Sequence, residues 1–413
     1  MDRKIGPVLL SGLMIGPILG SGVVLLPPMA YGQIGGGSIW AWILMMTLGA
    51  LFAAVFVKLT ILHPGDGGMT NSIEVALGKK AKLYASLLMI SAVSFGPTAV
   101  MLTAADYLVK IDVLSSISKP IIAVILVLLS FTTLMRDAKF VSKVSFVISS
   151  LTATILLISS AIILMQNGIN ISPLSSLEIG TFGETVLLLF WAIIGWEIIG
   201  NYSSQVDRIE RTIPIAAGIS IVVITSTYLI ISLAIQSFPY SEGLSLIEII
   251  SPVFGNSSKW ILAVLVTGLC FSTYLLIVGG LARLVNTLAT QKYLPKVLEK
   301  TNEFEVPTSG VIYFISVHTI VLILTQFEVL NLERIVNIAN SFFLLNAIIG
   351  LIAGFIVIKS KLFKLTTIIL IVCLSIIMLF SSFEILIALF VVFVISLLIG
   401  KRRESYLSSM ETS

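Results

Sequence analysis

Two short stretches hold the chemistry available to this chain. The first is Gly16-Pro17-Ile18-Leu19-Gly20-Ser21-Gly22-Val23, where two glycines flank a serine inside an apolar run. The second is Phe190-Trp191-Ala192-Ile193-Ile194-Gly195-Trp196-Glu197, where a glycine again interrupts an apolar run, now beside a carboxylate. An opened helix exposes partial positive charge on its freed N–H groups and partial negative charge on its freed C=O groups. The amides of Ser21, Gly22 and Val23 can then hold a carboxylate, as helix N-termini hold anions. The carbonyls of Ile18, Trp191 and Ile194 can hold an ammonium. Two such ends side by side suit the α-amine and α-carboxylate of a free amino acid, without any lysine or arginine.

Glycines inside membrane helices more often serve close helix packing, and that is the reading for Gly200, Gly279, Gly280 and Gly354. At Gly20 and Gly22 the matching interruption at Gly195 favours an opening instead. Glu197 is an ionisable group inside an apolar segment, where charge is costly and marks function. His318 reads as a hydrogen-bonded packing residue. Asp106 lies near the outer end of its segment, facing water or attracting substrate. Trp40, Trp42 and Trp260 lie at segment ends and read as interface anchors, whereas Trp191 does not.

These stretches need elements to position them, and composition says which. Of 413 residues 57% are hydrophobic and 11% charged, with a mean hydropathy of +1.09; a soluble domain carries about 25% charged residues. The fold class is therefore all-α, a polytopic membrane protein in contact with the lipid bilayer. A spanning helix needs about 20 apolar residues, and twelve segments qualify: 5–31, 38–62, 83–109, 119–135, 140–165, 182–202, 213–236, 259–281, 310–325, 332–358, 365–380 and 384–400. The first follows a Met-Asp-Arg-Lys start and reads as a span rather than a signal peptide, because many equal runs follow it. The joints are too short for an extramembrane domain.

Lysine and arginine placement then sets orientation. Alternating the segments puts 21 of the 25 on one face, from Arg3 and Lys4 through Lys79, Lys80 and Lys82 to Lys401, Arg402 and Arg403. Only Lys110, Lys119, Lys259 and Arg334 fall on the other. Both termini are thus expected in the cytoplasm of a cell whose plasma (inner) membrane this multi-pass chain crosses. The net charge of +4 follows from that asymmetry, so no nucleic-acid partner is implied. Cys270 and Cys373 lie in apolar runs without ligand-like spacing, which supports neither a disulfide nor a metal site. No nucleotide loop, metal cluster or nucleophile–base pair points to an enzyme, and no cofactor is expected.

Interrupted segments at corresponding places in two halves mark an inverted-repeat transporter. Helices 1 and 6 are broken and head two five-span repeats, residues 1–165 and 166–358, with two further helices in 359–400 and a cytoplasmic tail in 401–413. Because five is odd, the second half starts from the opposite face, and Gly20 and Gly195 meet near the midplane.

Read with their neighbours, these residues resemble the amino acid-polyamine-organocation superfamily. Gly20-Ser21-Gly22-Val23 with Pro27 is similar to its broken first helix, and Trp191 through Glu197 to its sixth. His63-Pro64-Gly65-Asp66-Gly67-Gly68, leading to Glu74 and Gly78, resembles its loop after the second helix. Arg211-Thr212-Ile213-Pro214, Ala282-Arg283-Leu284 and Leu294-Pro295 complete the pattern in order. The resemblance covers about the first ten segments and is strongest in the first, second, sixth and eighth; it implies a five-plus-five inverted repeat of the LeuT-like kind, with the chain resembling the bacterial members that are like exporters of small neutral or branched-chain amino acids. It places Ile18, Ser21, Gly22, Trp191 and Ile194 at the substrate backbone, Trp191 also at an aromatic gate, and Glu197 at a carboxylate used for gating or proton linkage. Thr98 in the third segment and Tyr274 in the eighth are implied as weaker lining positions. Some proton-coupled relatives carry a lysine midway along the fifth helix; here 144–152 has none, which argues against that coupling. Ser272 and Thr273 offer hydroxyls to a possible sodium ion.

The expected function is secondary transport of small neutral amino acids with aliphatic or sulfur-containing side chains, by alternating access and with possible coupling to H+ or Na+. The alternatives are an amino acid/amine antiporter or exporter, or a channel or non-transporting membrane subunit, although no continuous polar pore lining is seen.

Overall fold

Backbone groups in a long apolar run must find partners within the run itself, and the chain accordingly folds into helices. The computed structural model describes residues 6–411 except 66–67, 112–113, 136–137, 170, 172–177, 198–199, 201–202, 204–205, 239–244 and 305, and it leaves out the side chains of 13, 138–145 and 405–411. Among the described residues there is no strand. Arg3, Lys4, Asp66, Gly67 and Arg136, with the side chains of Lys139 and Lys143 and part of the end of the sixth segment, lie outside the described residues.

In chain order the helices are α1 (Pro7–Leu19), α2 (Gly22–Ile34), α3 (Ser38–Leu62), α4 (Met69–Val109), α5 (Lys119–Leu134), α6 (Ala138–Asn167) and α7 (Ile179–Leu189), followed by a 3-10 turn over Phe190–Ile193. Then come α8 (Ile209–Gln236), α9 (Leu246–Phe254), α10 (Ser258–Thr290), α11 (Thr308–Gln326), α12 (Leu332–Val357), α13 (Lys361–Met378) and α14 (Phe383–Glu411). Their ends follow local chemistry. Ser245 and Glu248 form a reciprocal capping box at α9, and the Asn331 side chain accepts from the Arg334 N–H at 2.8 Å to start α12. Helix α4 is two pieces joined at Gly78, whose φ of 85° only glycine adopts freely. The sequence segment 83–109 is its second piece.

Nine described stretches are long and apolar enough to cross a membrane, Pro7–Leu62 among them, and two shorter apolar helices cover Lys119–Leu134 and Ile179–Ile193. Helix α4 runs through the interior with 89% of its apolar window buried, packed against α10 and α12. Helices α13 and α14 bury only 22% and 17% of theirs, so their apolar surface faces outward. Between helices in lipid there is little hydrophobic driving force, so small residues and interhelical hydrogen bonds set the packing. A Cβ on Gly49 of α3 would stand 2.6 Å from Ile193 Cγ2, which shows how closely α3 meets the turn after α7. That turn is the first component of the site.

Candidate substrate site at the paired helix breaks

Helix α1 stops at Leu19 because Gly20 takes φ 33°, ψ −137°, a conformation closed to side-chain-bearing residues. The Gly20 N–H donates back to Gly16 O at 2.8 Å. Ser21 then caps α2, its carbonyl accepting from Val24 and Leu25 at 3.3 and 3.0 Å. The amides of Gly22 and Val23, which open α2, therefore have no acceptor within the helix. On the other side of the break, Ile18 O and Leu19 O receive the Tyr228 hydroxyl at 3.1 and 3.4 Å, and Gly16 O receives the Thr273 hydroxyl at 3.4 Å.

The partner break has a different construction. After α7 the chain tightens over Phe190–Ile193, then Ile194 is extended (φ −70°, ψ 133°) and Gly195 takes φ 121°. A Cβ on Gly195 would lie 2.9 Å from Ile18 Cγ1, so the two breaks touch. The Gly195 N–H donates to Glu197 Oε2 at 3.1 Å, and Glu197 is buried. Asn340 of α12 donates its amide to Leu187 O and Leu188 O at 3.0 and 3.3 Å, satisfying two carbonyls where α7 ends. Trp191 bridges the two breaks. Its indole N–H donates to Ser21 Oγ at 3.3 Å, and its ring lies over Gly96, where a Cβ would stand 3.1 Å from Cη2.

Between these elements lies a cavity of about 20 Å³, room for about one water. Pro17, Ser21, Gly96, Pro97, Val100, Trp191, Ile194, Gly195, Thr273, Ile277 and Phe343 line it, so among the described residues its side-chain polar groups are two hydroxyls and an indole N–H. Trp191 forms one wall of the cavity, hydrogen-bonded to Ser21 Oγ and packed over Gly96.

Of the residues expected from sequence, the structure brings Ser21, Trp191, Ile194, Gly195 and Thr273 to the cavity. Ile18, Gly20 and Gly22 stand just behind it, against Gly195, Thr273 and Tyr228 respectively, while Val23 and Ser272 are buried nearby in sequence. Thr98 and Tyr274 are not brought to the lining. Thr98 donates to Phe95 O within its own helix, and the Tyr274 hydroxyl is 2.7 Å from His318 Nδ1. His318 also reaches Val93 O at 2.7 Å through Nε2, so it is a hydrogen-bonded packing residue linking α10, α11 and α4.

Three sequence expectations change. Trp42 is fully buried and stacked on Tyr228 at 4.6 Å, because α3 packs along α8, and it is no interface anchor. Asp106 is partly exposed and paired with Lys110 (3.0 Å) and Lys119, so its charge is compensated by neighbouring lysines as well as by water. Gly280 has open space where a Cβ would go, unlike Gly200, whose Cβ would lie 2.7 Å from Gly68 Cα. Tyr228 and Asn340 escaped sequence reading. Each is a polar group inside an apolar helix, a signal of function or interhelical bonding, but their partners sit about 150–210 positions away.

The chain is similar to the L-methionine/branched-chain amino acid exporter YjeH of Escherichia coli, 23% identical over 86% of this chain and 86% of that one. It is similar to the uncharacterized amino acid permease YecA of Bacillus subtilis, 24% identical over 70% of this chain and 68% of the relative. It is also similar to the putrescine transporter PotE of Escherichia coli, 24% identical over 82% and 81%. The amino acid permease model matches residues 5–405, nearly the whole chain, and the protein belongs to that family of membrane transporters.

Proposed function

We propose that the chain is a secondary transporter of neutral amino acids with aliphatic or sulfur-containing side chains, bound where the α1–α2 and α7 breaks meet. The observation that carries this reading is the lining of the cavity: Ser21 and Gly195 of the two helix breaks border it, and among the described residues no carboxylate or cation lines it. Such a site grips an amino acid by its backbone and leaves Val100, Ile277 and Phe343 to meet an apolar side chain. A diamine such as putrescine would need an anionic partner at its second ammonium, which the lining does not offer. The name of one relative, a methionine and branched-chain amino acid exporter, agrees with the apolar side of the pocket.

Transport proceeds by alternating access. Trp191 leaves Ser21 and Gly96 to admit substrate, the freed amides of Gly22 and Val23 take its carboxylate, and the carbonyls near Ile18 and Ile194 take its ammonium. Glu197 holds the Gly195 turn, and through it the orientation of Ile194. Thr273, already bonded to Gly16 O, with Ser272 beside it in sequence, is where a sodium ion would report on α1. This cycle assumes twelve crossings in a five-plus-five inverted repeat, with both termini cytoplasmic in the plasma membrane. Pro7–Leu62 is long enough for two passes, and the two shorter apolar helices supply two more.

Counterflow in liposomes with a panel of labelled amino acids, run with and without sodium and pH gradients, tests the proposal. Exchange of methionine, leucine or valine is expected. Exchange of putrescine alone would overturn the neutral-substrate reading.

A further inference from the structure

Two short basic runs that lie far apart in the chain meet at one corner of the fold. Lys79, Lys80 and Lys82 follow the Gly78 kink of α4, and Lys401, Arg402 and Arg403 follow the apolar part of α14. Packing holds them together: Tyr84 donates to Leu389 O at 3.4 Å, the Tyr84 and Phe393 rings meet edge-on at 5.3 Å, and Lys80 pairs with Glu404 at 3.3 Å.

These cations are not equally occupied. Lys82 is bound to Glu74 at 2.6 Å. Arg403 donates from Nε to Gln291 O at 2.8 Å and lies 4.2 Å over the Tyr293 ring, gripping the turn that follows α10. Lys79, Lys401 and Arg402 are exposed, and among the described residues no carboxylate pairs with them. One turn up α14, Leu397 and Leu398 are 41% and 61% exposed and continue the outward-facing apolar surface of that helix. Uncompensated cations at one level, with an outward apolar strip directly above, match the two parts of a membrane lipid. The apolar strip rules in a lipid over a soluble anion, and the charge rules in an anionic headgroup over a zwitterionic one.

We propose that the α4–α14 junction binds an anionic phospholipid, with Lys79, Lys401 and Arg402 on its phosphodiester headgroup and its acyl chains along Leu397 and Leu398. Because Arg403 ties the same end of α14 to the turn after α10, the bound lipid fastens the helix that carries Thr273 and Ile277 into the cavity.

Native mass spectrometry of the full-length protein, delipidated and then supplied with phosphatidylglycerol or phosphatidylcholine, tests the site. The wild type should retain phosphatidylglycerol about tenfold over phosphatidylcholine, and Lys79→Gln/Lys401→Gln/Arg402→Gln should lose that preference. Lys79→Arg/Lys401→Arg should keep it, as should an equal charge removal at Lys359, Lys361 and Lys364. Should the triple variant fail to fold, Arg402→Gln alone, at an exposed position, should weaken retention about threefold. The proposal is overturned if the wild type shows no preference, if the 359/361/364 control loses as much as the junction variant, or if inorganic phosphate competes as well as the lipid.

Discussion

Gly22→Ala places a methyl 2.5 Å from the Tyr228 hydroxyl oxygen, inside the distance any Cβ contact tolerates. The tyrosine cannot swing aside, since it is fully buried and stacked on Trp42. Overpacking of this kind costs about 1–3 kcal/mol. Tyr228→Phe removes the colliding oxygen and also the hydrogen bond to Ile18 O, and interhelical hydrogen bonds in membranes are worth on average about 0.6 and at most about 1.7 kcal/mol. If the two changes were independent, the double variant would lose their sum. Because the hydroxyl is what the added methyl strikes, Gly22→Ala/Tyr228→Phe should instead lose little more than Tyr228→Phe alone. The cycle should thus show a coupling of about 1–3 kcal/mol in favour of the double variant. Equilibrium unfolding in mixed micelles measures each corner. Additive losses would refute the assignment of Gly22 as the residue that makes room for Tyr228, and with it the account of how the α1–α2 break is held open.

Glu197→Gln keeps an oxygen for the Gly195 N–H and should leave substrate affinity within about threefold, whereas Glu197→Ala should lose tenfold or more. Equal loss in both, by substrate-dependent thermal shift, would assign the role to the charge rather than to the turn. Asn340→Leu strips the donor from Leu187 O and Leu188 O and should destabilise by about 1 kcal/mol, reduced because Asn340 Oδ1 is buried with no partner among the described residues; an unchanged melting temperature would count against the capping role. Gly200→Ala drives a methyl to 2.7 Å from Gly68 Cα, backbone that cannot rotate away, and displaces the Gly65 N–H from Ser203 Oγ (2.8 Å). Hydrogen exchange should rise across residues 63–65 and 68–72, and wild-type protection there would show that the contact is dispensable.

The chain's class and the two breaks were legible in the linear sequence because both rest on local physics. Apolar length forces helices in lipid, and Gly20 and Gly195 stop those helices through backbone angles that their own lack of a side chain permits. The same locality explains the misreadings. Trp42 at a segment end looked like an anchor and Asp106 like a solvated charge, yet each is decided by what another helix brings: Tyr228 of α8 for the first, and Lys119 of α5 together with Lys110 for the second. The sequence by itself determined where the backbone opens and that the opening carries helix-end charge. Only the tertiary structure decided which carbonyls are already taken by Tyr228 and Thr273, that Trp191 closes the cavity onto Ser21 and Gly96, and that Glu197 faces its own turn. Each of those facts is a distance between atoms whose positions the chain does not set until its helices have packed.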